Sequence, residues 1–359
     1  MSFTHLLQGI DTLEVSYYLA APSGEGLNFV ALAADKEALR LKKRRQNKVI
    51  SLGCEEFLLS CHGTNTGFSF FMENDAFEVS FGEFVQPNFF VKFKCEALWH
   101  GGFQNLHNRF LAWARSVGLN PYKPEVISRV DIAFDYLLPC VDFDLESFVS
   151  QAEKDNQRRK NRKTQTFSFG SGDKMLRVYN KSDEIKEKSV DKIWFYSLWD
   201  GIVDDVWRIE WQARRDYLKT VGLHTVKDLT DIQGNLLRGL ATEHTRLCLP
   251  SEDSNKSRWP LHPLWQDYLE RVSLMPSSDE VRTYNPNIVF DERLHRYYLS
   301  MYGYLKRIAA IQCLKQDAAD ISLETAMRYL RSGVARFHSS LDWQDEVAWR
   351  VDEMRFNHE

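Results

Sequence analysis

Between Lys174 and Glu184 the chain reads K-M-L-R-V-Y-N-K-S-D-E, which sets a tyrosine between two cations, each two residues away. In an extended strand alternate side chains share a face, so Arg177, Tyr179 and Lys181 are expected to point the same way. A phenol flanked by positive charge is suited to attack a phosphate ester, because the cations attract the phosphodiester and favour the phenolate. Most strand tyrosines are packing residues with a wet hydroxyl. The assignment of Tyr179 as a nucleophile therefore depends on what the fold brings beside it.

Two other segments carry alternating chemistry. In I-S-R-V-D-I-A-F-D-Y-L-L, Val130, Ile132, Phe134 and Tyr136 form a core face, while Arg129, Asp131, Ala133 and Asp135 form a polar one. In D-V-W-R-I-E-W-Q-A-R-R, Trp207, Ile209, Trp211 and Ala213 are inward, and Arg208, Glu210 and Gln212 outward. Carboxylates on a strand that is otherwise apolar are costly unless a cation faces them. A solvated face with an internal ion pair would meet that need, and so would a divalent metal. If the three strands are neighbours in one antiparallel sheet, their residues supply metal-assisted phosphoryl transfer: carboxylates for a hard cation, a phenol to attack, and Arg129, Arg177 and Lys181 to hold the phosphate charge.

The elements that must position these groups are legible in outline. Leu13–Leu19, Glu56–Cys61, Gly67–Met72, Phe77–Phe81 and Phe89–Phe93 alternate at short intervals, as an antiparallel meander does. A helix is expected over Phe103–Val117, a strand over Val126–Leu138, and a second helix from Asp144 to about Arg158. A hairpin is expected around Gly170-Ser171-Gly172-Asp173, and a strand over Asp205–Arg215. Helical periodicity then runs through Leu218–Leu247, Leu261–Leu274, Asp291–Leu314 and Ser322–Phe337. The implied fold class is α+β, with two domains at 1–220 and 221–359.

The chain has 359 residues, a formal net charge of -4 and 43% hydrophobic residues, which argues against histone-like affinity along its whole length but leaves room for local basic sites. Two basic runs stand out: Arg40, Lys42, Lys43, Arg44 and Arg45, then Arg158, Arg159, Lys160, Arg162 and Lys163. Both are candidate DNA contacts, as is Arg208 on the third strand. The six cysteines lack C-x-x-C spacing and are expected to be reduced and buried; His62, His100, His107 and His224 are isolated and offer no metal motif. No run approaches the ~20 apolar residues of a membrane span, so a cytoplasmic protein is expected.

R-V-D-I-A-F-D-Y, F-S-F-G-S-G-D-K-M-L-R-V-Y-N-K-S-D-E and W-R-I-E-W-Q-A-R-R, in that order, resemble the Rep_trans family of replication initiation factors over about residues 10–220. The family includes rolling-circle plasmid initiators, relaxases of conjugative elements and replication proteins of filamentous phages. The resemblance implies a curved, mainly antiparallel sheet with helices on one face, followed here by a helical C-terminal region. It also implies a Mg²⁺- or Mn²⁺-dependent nicking-closing endonuclease that stays attached to the 5′ phosphate through tyrosine. It puts the nucleophile at Tyr179 and the metal at Asp131 and Glu210, with Asp135 a third candidate. Expected partners are double-stranded origin DNA nicked to expose a single strand, a host helicase and polymerase, and a second copy of the chain. The C-terminal region is mixed in charge and rich in Trp and Tyr, unlike the longer basic region of many members. Two other readings stand beside this one: a DNA-binding protein without nuclease activity, and a partner-binding protein using Tyr297, Tyr298, Tyr302 and Tyr304.

Overall fold

The computed structural model describes residues 3–22, 26–41, 48–276, 286–317, 320–338, 343–348, 350 and 351. The first half contains β1 (Thr4–Tyr17), β2 (Leu19–Ala20), α1 (Phe29–Arg40), β3 (Lys48–Leu52), β4 (Glu55–Leu59), β5 (Phe70–Glu73), β6 (Phe77–Phe81), β7 (Phe89–Phe93), α2 (Cys95–Gly101) and α3 (Phe103–Ser116). Next come β8 (Asn120–Pro121), β9 (Val126–Leu137), β10 (Phe148–Ser150), β11 (Asp155–Lys160), β12 (Lys163–Ser171), β13 (Lys174–Asn180), α4 (Lys181–Glu187), α5 (Phe195–Leu198) and β14 (Val206–Arg214). The chain continues through α6 (Arg215–Thr220), α7 (Val226–Gly239), β15 (Thr245–Leu247), α8 (Pro263–Ser273), α9 (Pro286–Gln316) and α10 (Leu323–Val334).

Eleven strands form one sheet in the order β11-β12-β13-β14-β9-β1-β7-β6-β5-β4-β3. Its centre is the long antiparallel pair β1/β9, from which each half of the chain goes out and returns: β7 closes against β1, and β14 against β9. One face is apolar from end to end, through Phe77, Val91, Leu13, Val130, Ile132, Phe134, Trp211, Leu176 and Phe167. Against it pack Phe110 and Trp113 of α3, Leu218 of α6, Leu229 and Leu237 of α7, and Trp265 and Tyr268 of α8. The expected α+β class, with a large antiparallel sheet, helices on a face and a helical C-terminal region, is what the structure has. On the other face a smaller apolar cluster of Ile185, Phe195, Trp199 and Val206, with Leu7 and Trp99 against it, covers part of the sheet.

Two expected elements differ. The helix placed over Asp144–Arg158 is a single turn, Leu145–Ser147, closed by a reciprocal cap between Asp144 and Ser147, after which the chain runs into β10 and β11. The basic run therefore lies on an edge strand, paired on one side only with β12, where charged side chains also guard against edge-to-edge association. The long helical stretch from Leu218 is interrupted as well. Gly222 at φ 71° turns the chain, Thr225 and Asp228 cap a new helix, and Thr245–Leu247 pairs with β10.

Residues divide into two units, Met1–Tyr284 and Asn285–Glu359, so α6, α7 and α8 belong with the sheet and the division falls well after the expected boundary at residue 220. In the second unit α9 and α10 pack together, with Leu305 and Ala326 buried. No helix among the described residues is long and apolar enough to cross a membrane. The cysteines are unpaired; Cys61 and Cys248 are buried as expected, whereas Cys54 and Cys140 are exposed because they sit in turns.

One histidine ties the second half together. His244 is buried, its ring edge-on to Trp211 at 5.6 Å and its Nδ1 2.9 Å from the Thr245 hydroxyl. Gly170, at φ 92°, passes so close that a Cβ there would lie 2.5 Å from the Lys174 carbonyl oxygen and 3.4 Å from the imidazole. Burial, helped by Lys174, pushes the His244 pKa down to about 4. Because its folded value lies below the unfolded one, the unfolded chain binds the proton first as pH falls, and stability is lost between about 6.5 and 4. His244→Gln is expected to flatten that part of the stability curve by up to about 3 kcal/mol, since each pH unit between the folded and unfolded values is worth about 1.4 kcal/mol. Urea midpoints at pH 7, 5.5 and 4.5 for both proteins check this; parallel curves would contradict it.

Candidate active site on the polar sheet face

The three polar segments are adjacent strands. In β13/β14, Arg177 faces Glu210 and Tyr179 faces Arg208; in β14/β9, Gln212 faces Asp131, Glu210 faces Ala133 and Arg208 faces Asp135. Directly opposed residues share a sheet face, so the order β13-β14-β9 assembles the groups that sequence alternation only set in parallel. Ala133, and Gly9 beyond it on β1, keep the row beside Glu210 low.

The first cluster is centred on Glu210. The Tyr179 hydroxyl donates to Glu210 Oε2 at 2.8 Å, and Arg177 Nη2 donates to Glu210 Oε1. The same Nη2 lies 3.7 Å from Asp131 Oδ2, so one guanidinium bridges both carboxylates. Arg129 forks Asp131 from the other side, its Nε donating to Oδ1 at 2.8 Å, and lies 3.7 Å from Glu14. The Asp131 and Glu210 side chains are only 1% and 4% exposed, whereas that of Arg177 is 32% exposed and covers them. Burial raises Asp131 to about 6 against the pull of Arg129, with the Glu210 charge adding to the rise. Burial also raises the half-buried Tyr179 phenol well above its usual range, and the Glu210 charge adds to it.

The second cluster is sealed. Arg208 is fully buried; its Nε and Nη2 donate to Asp135 at 2.6 and 2.8 Å, and its Nη1 donates to Asp11. Trp199 Nε1 completes Asp135 at 3.0 Å, and Trp99 Nε1 completes Asp11 at 3.1 Å. Phe195 lies 4.6 Å from the guanidinium carbon and Trp99 5.4 Å from it. Arg208 pulls Asp11 well below the usual carboxylate range against the cost of burial.

Several expected roles change with this placement. Asp135 stands about 13 Å along the strand from Asp131, with both oxygens held by Arg208 and Trp199, so the fold sets it apart from the Asp131/Glu210 pair. Arg208, expected at DNA, is locked in the interior, because a buried guanidinium is tolerable only where carboxylates surround it. Lys181 opens α4 instead of extending the strand; it is buried, pairs with Glu184 at 2.7 Å and lies 5.7 Å from the Tyr179 ring centre. Burial and Arg208 lower its pKa. Arg40 ends α1, exposed and paired with Glu37, while Lys42, Lys43, Arg44 and Arg45 lie outside the described residues.

The second basic run does reach the site. Arg158, Arg159 and Lys160 on β11, Arg162 in the turn at φ 67° and Lys163 at the start of β12 are all exposed. Arg158 and Lys160 line a partly open cleft together with Thr166, Tyr179, Asn180 and Lys188 and with the carboxylates of Asp183, Glu184 and Glu187, the last of them paired with Lys160. Sequence reasoning passed over Asp11, Trp99 and Trp199; the signal available was an aspartate next to Ile10, just before the strand expected from Leu13. Tyr297, Tyr298, Tyr302 and Tyr304 are exposed on α9.

No family model matches the chain, and no curated protein matches it. Among solved structures, "Structure of Rolling Circle Replication Initiator Protein from Geobacillus stearothermophilus" is similar with a TM-score of 0.43 and 16% identity, over 78% of this chain and all of that one. At that score the likeness carries no weight for function, which rests on the site's own geometry.

The sealed cluster makes a stability prediction. Asp135→Ala leaves Arg208 buried with half its partners, a defect that costs about 3–5 kcal/mol. Arg208→Lys is expected to rescue little, since one ammonium cannot serve Asp135 bidentately and reach Asp11 as well. Chemical denaturation measures both; losses under about 1 kcal/mol, the level of an exposed pair, would show the network to be dispensable.

Proposed function

We propose that the chain is a nicking-closing enzyme acting on single-stranded DNA, an initiator of rolling-circle replication in which Tyr179 is the nucleophile. The observation that carries this is the 2.8 Å hydrogen bond from the Tyr179 hydroxyl to Glu210, one strand from Asp131 and beside Arg177. Glu210 is placed to take the phenolic proton as the tyrosine oxygen bonds to phosphorus. The P–O3′ bond then breaks, the departing 3′ oxygen takes up a proton, and a 5′-phosphotyrosine ester remains, which the reverse steps rejoin. Tyr179 is a poor nucleophile at rest because its pKa is raised, so the proton must leave as the bond forms, in reach of the acceptor. Arg177 and Arg129 supply the positive charge that the phosphorane-like transition state requires.

Asp131 and Glu210 are the residues that would hold Mg²⁺ or Mn²⁺. Among the described residues no group of three His, Cys, Asp or Glu side chains could hold a metal ion, yet the pair fits a hard cation that takes one or two carboxylates and completes its shell with water and substrate phosphate. When bound, such an ion would draw charge from the scissile phosphate.

A second reading has its own observation. Asp131 and Glu210 are already engaged by arginines, which is what a DNA-binding relative without nuclease activity would have. Incubation with supercoiled origin DNA or a single-stranded oligonucleotide and Mg²⁺ or Mn²⁺ separates the two. The enzyme gives nicked product and a covalent protein–DNA adduct, and Tyr179→Phe abolishes both while DNA affinity stays within about threefold. An undiminished adduct in that variant would move the nucleophile elsewhere, and binding without any adduct would favour the second reading.

The β11/β12 hairpin gives a separate expectation. Each phosphate contact on single-stranded DNA contributes about -0.7 to the slope of log affinity against log salt. Arg158→Gln with Lys160→Gln is expected to reduce that slope by about 1.4, with fluorescence anisotropy across a salt series as the measurement. An unchanged slope would remove the hairpin from the DNA path.

A further inference from the structure

We propose that Arg177 is the resident counter-cation of the Asp131/Glu210 pair, which gives up its place when a divalent ion is bound and then turns its guanidinium to the substrate phosphate. The inference rests on the reading of those two carboxylates as the metal carriers.

Three features of the side chain support it. Its Nη2 touches Glu210 and lies 3.7 Å from Asp131, on the oxygens a metal would need, so occupancy by arginine and by metal is mutually exclusive. The Asp131 and Glu210 side chains are 1% and 4% exposed while the Arg177 side chain that contacts both is 32% exposed, so a cation reaches them from solvent only if Arg177 moves. Arg177 Nε is buried without a hydrogen-bond partner, so this pose leaves that donor unsatisfied. Arg129, by contrast, forks Asp131 with both its Nε and Nη2 and has Glu14 beyond it. Of the two arginines, Arg177 is the one held less completely.

The sheet also offers it somewhere to go. Arg177 is paired across β12 with Ser168, and Tyr179 with Thr166, both half-buried on the same face. A guanidinium swung away from Glu210 passes over these hydroxyls toward the cleft that holds Tyr179, Arg158 and Lys160. Arg177 would thus serve two anions in turn. In the resting protein it neutralises two buried like charges; with a divalent ion in place it is repelled and becomes a phosphate ligand beside the nucleophile.

The test is calorimetric titration of Mn²⁺ into the full chain, without DNA. Arg177→Gln should bind Mn²⁺ at least about tenfold tighter than the parent, because the ion no longer has to displace a guanidinium from the two carboxylates, and a tenfold gain corresponds to about 1.4 kcal/mol. Arg177→Lys, which keeps the charge, should stay within about threefold, and Asp131→Asn should abolish binding. Arg177→Gln binding equally or more weakly, with Asp131→Asn still abolishing it, would overturn the exchange and leave the metal reading intact. No Mn²⁺ binding by any of the proteins would overturn both. Should Arg177→Gln fail to fold, the parent answers alone: its Arg177 Nε–H resonance, assigned by its loss in Arg177→Lys, must shift with Mg²⁺ in proportion to occupancy, and a resonance unmoved at saturation would refute the proposal.

Discussion

Everything on the polar face depends on charge neutralisation at low dielectric. Asp11, Asp131, Asp135 and Glu210 are all buried, and each would be prohibitive there alone. Arg129, Arg177 and Arg208 make the arrangement possible, and they do so only because antiparallel pairing of β13, β14 and β9 sets cations and carboxylates on opposed positions. Slipping any one of these strands by a single residue would turn that strand's charges into the apolar core. Register and electrostatics therefore enforce each other.

The face is divided by what covers it. Phe195 and Trp199 from the α5 segment and Trp99 of α2 exclude water, and Arg208 with its two aspartates becomes a fixed strut. Beyond that cover, the same chemistry is left beneath one partly exposed arginine and next to a cleft of mixed charge that carries Arg158 and Lys160. Tyr179 stands directly across the strand pair from this strut, since Arg208 is its opposed residue. Rigidity on one side and access on the other are what positioned phosphoryl chemistry requires.

Much of the candidate site was legible in the sequence, and the limits are instructive. Alternation assigned Tyr179, Arg177, Asp131 and Glu210 to polar faces correctly, because a strand has a period of two whatever its neighbours are. It also grouped Asp135 with Asp131 and set Arg208 among surface cations, whereas the fold buries Asp135 and Arg208 against one another, and for one reason. Alternation gives the face of a sheet but says nothing about what lies on top of it, and the cover here comes from α5, which begins sixty residues beyond Asp135 in the chain. The basic run at Arg158 was recognisable as charge, but its edge-strand form was not, since charged residues suit an exposed helix equally well.

By itself the sequence determined the face of each strand, the hairpin at Gly172-Asp173 and the meander that builds the sheet, because these follow from local stereochemistry and the two-residue period of extended chain. Only the tertiary structure decided which carboxylates meet. The order β13-β14-β9 is a long-range choice, and it brought Glu210 and Asp131 under one guanidinium with Tyr179 bonded to Glu210, while sending Asp135 and Arg208 to a sealed interior. Pairing partners are selected by the whole buried apolar face at once, so no segment read alone contains that information.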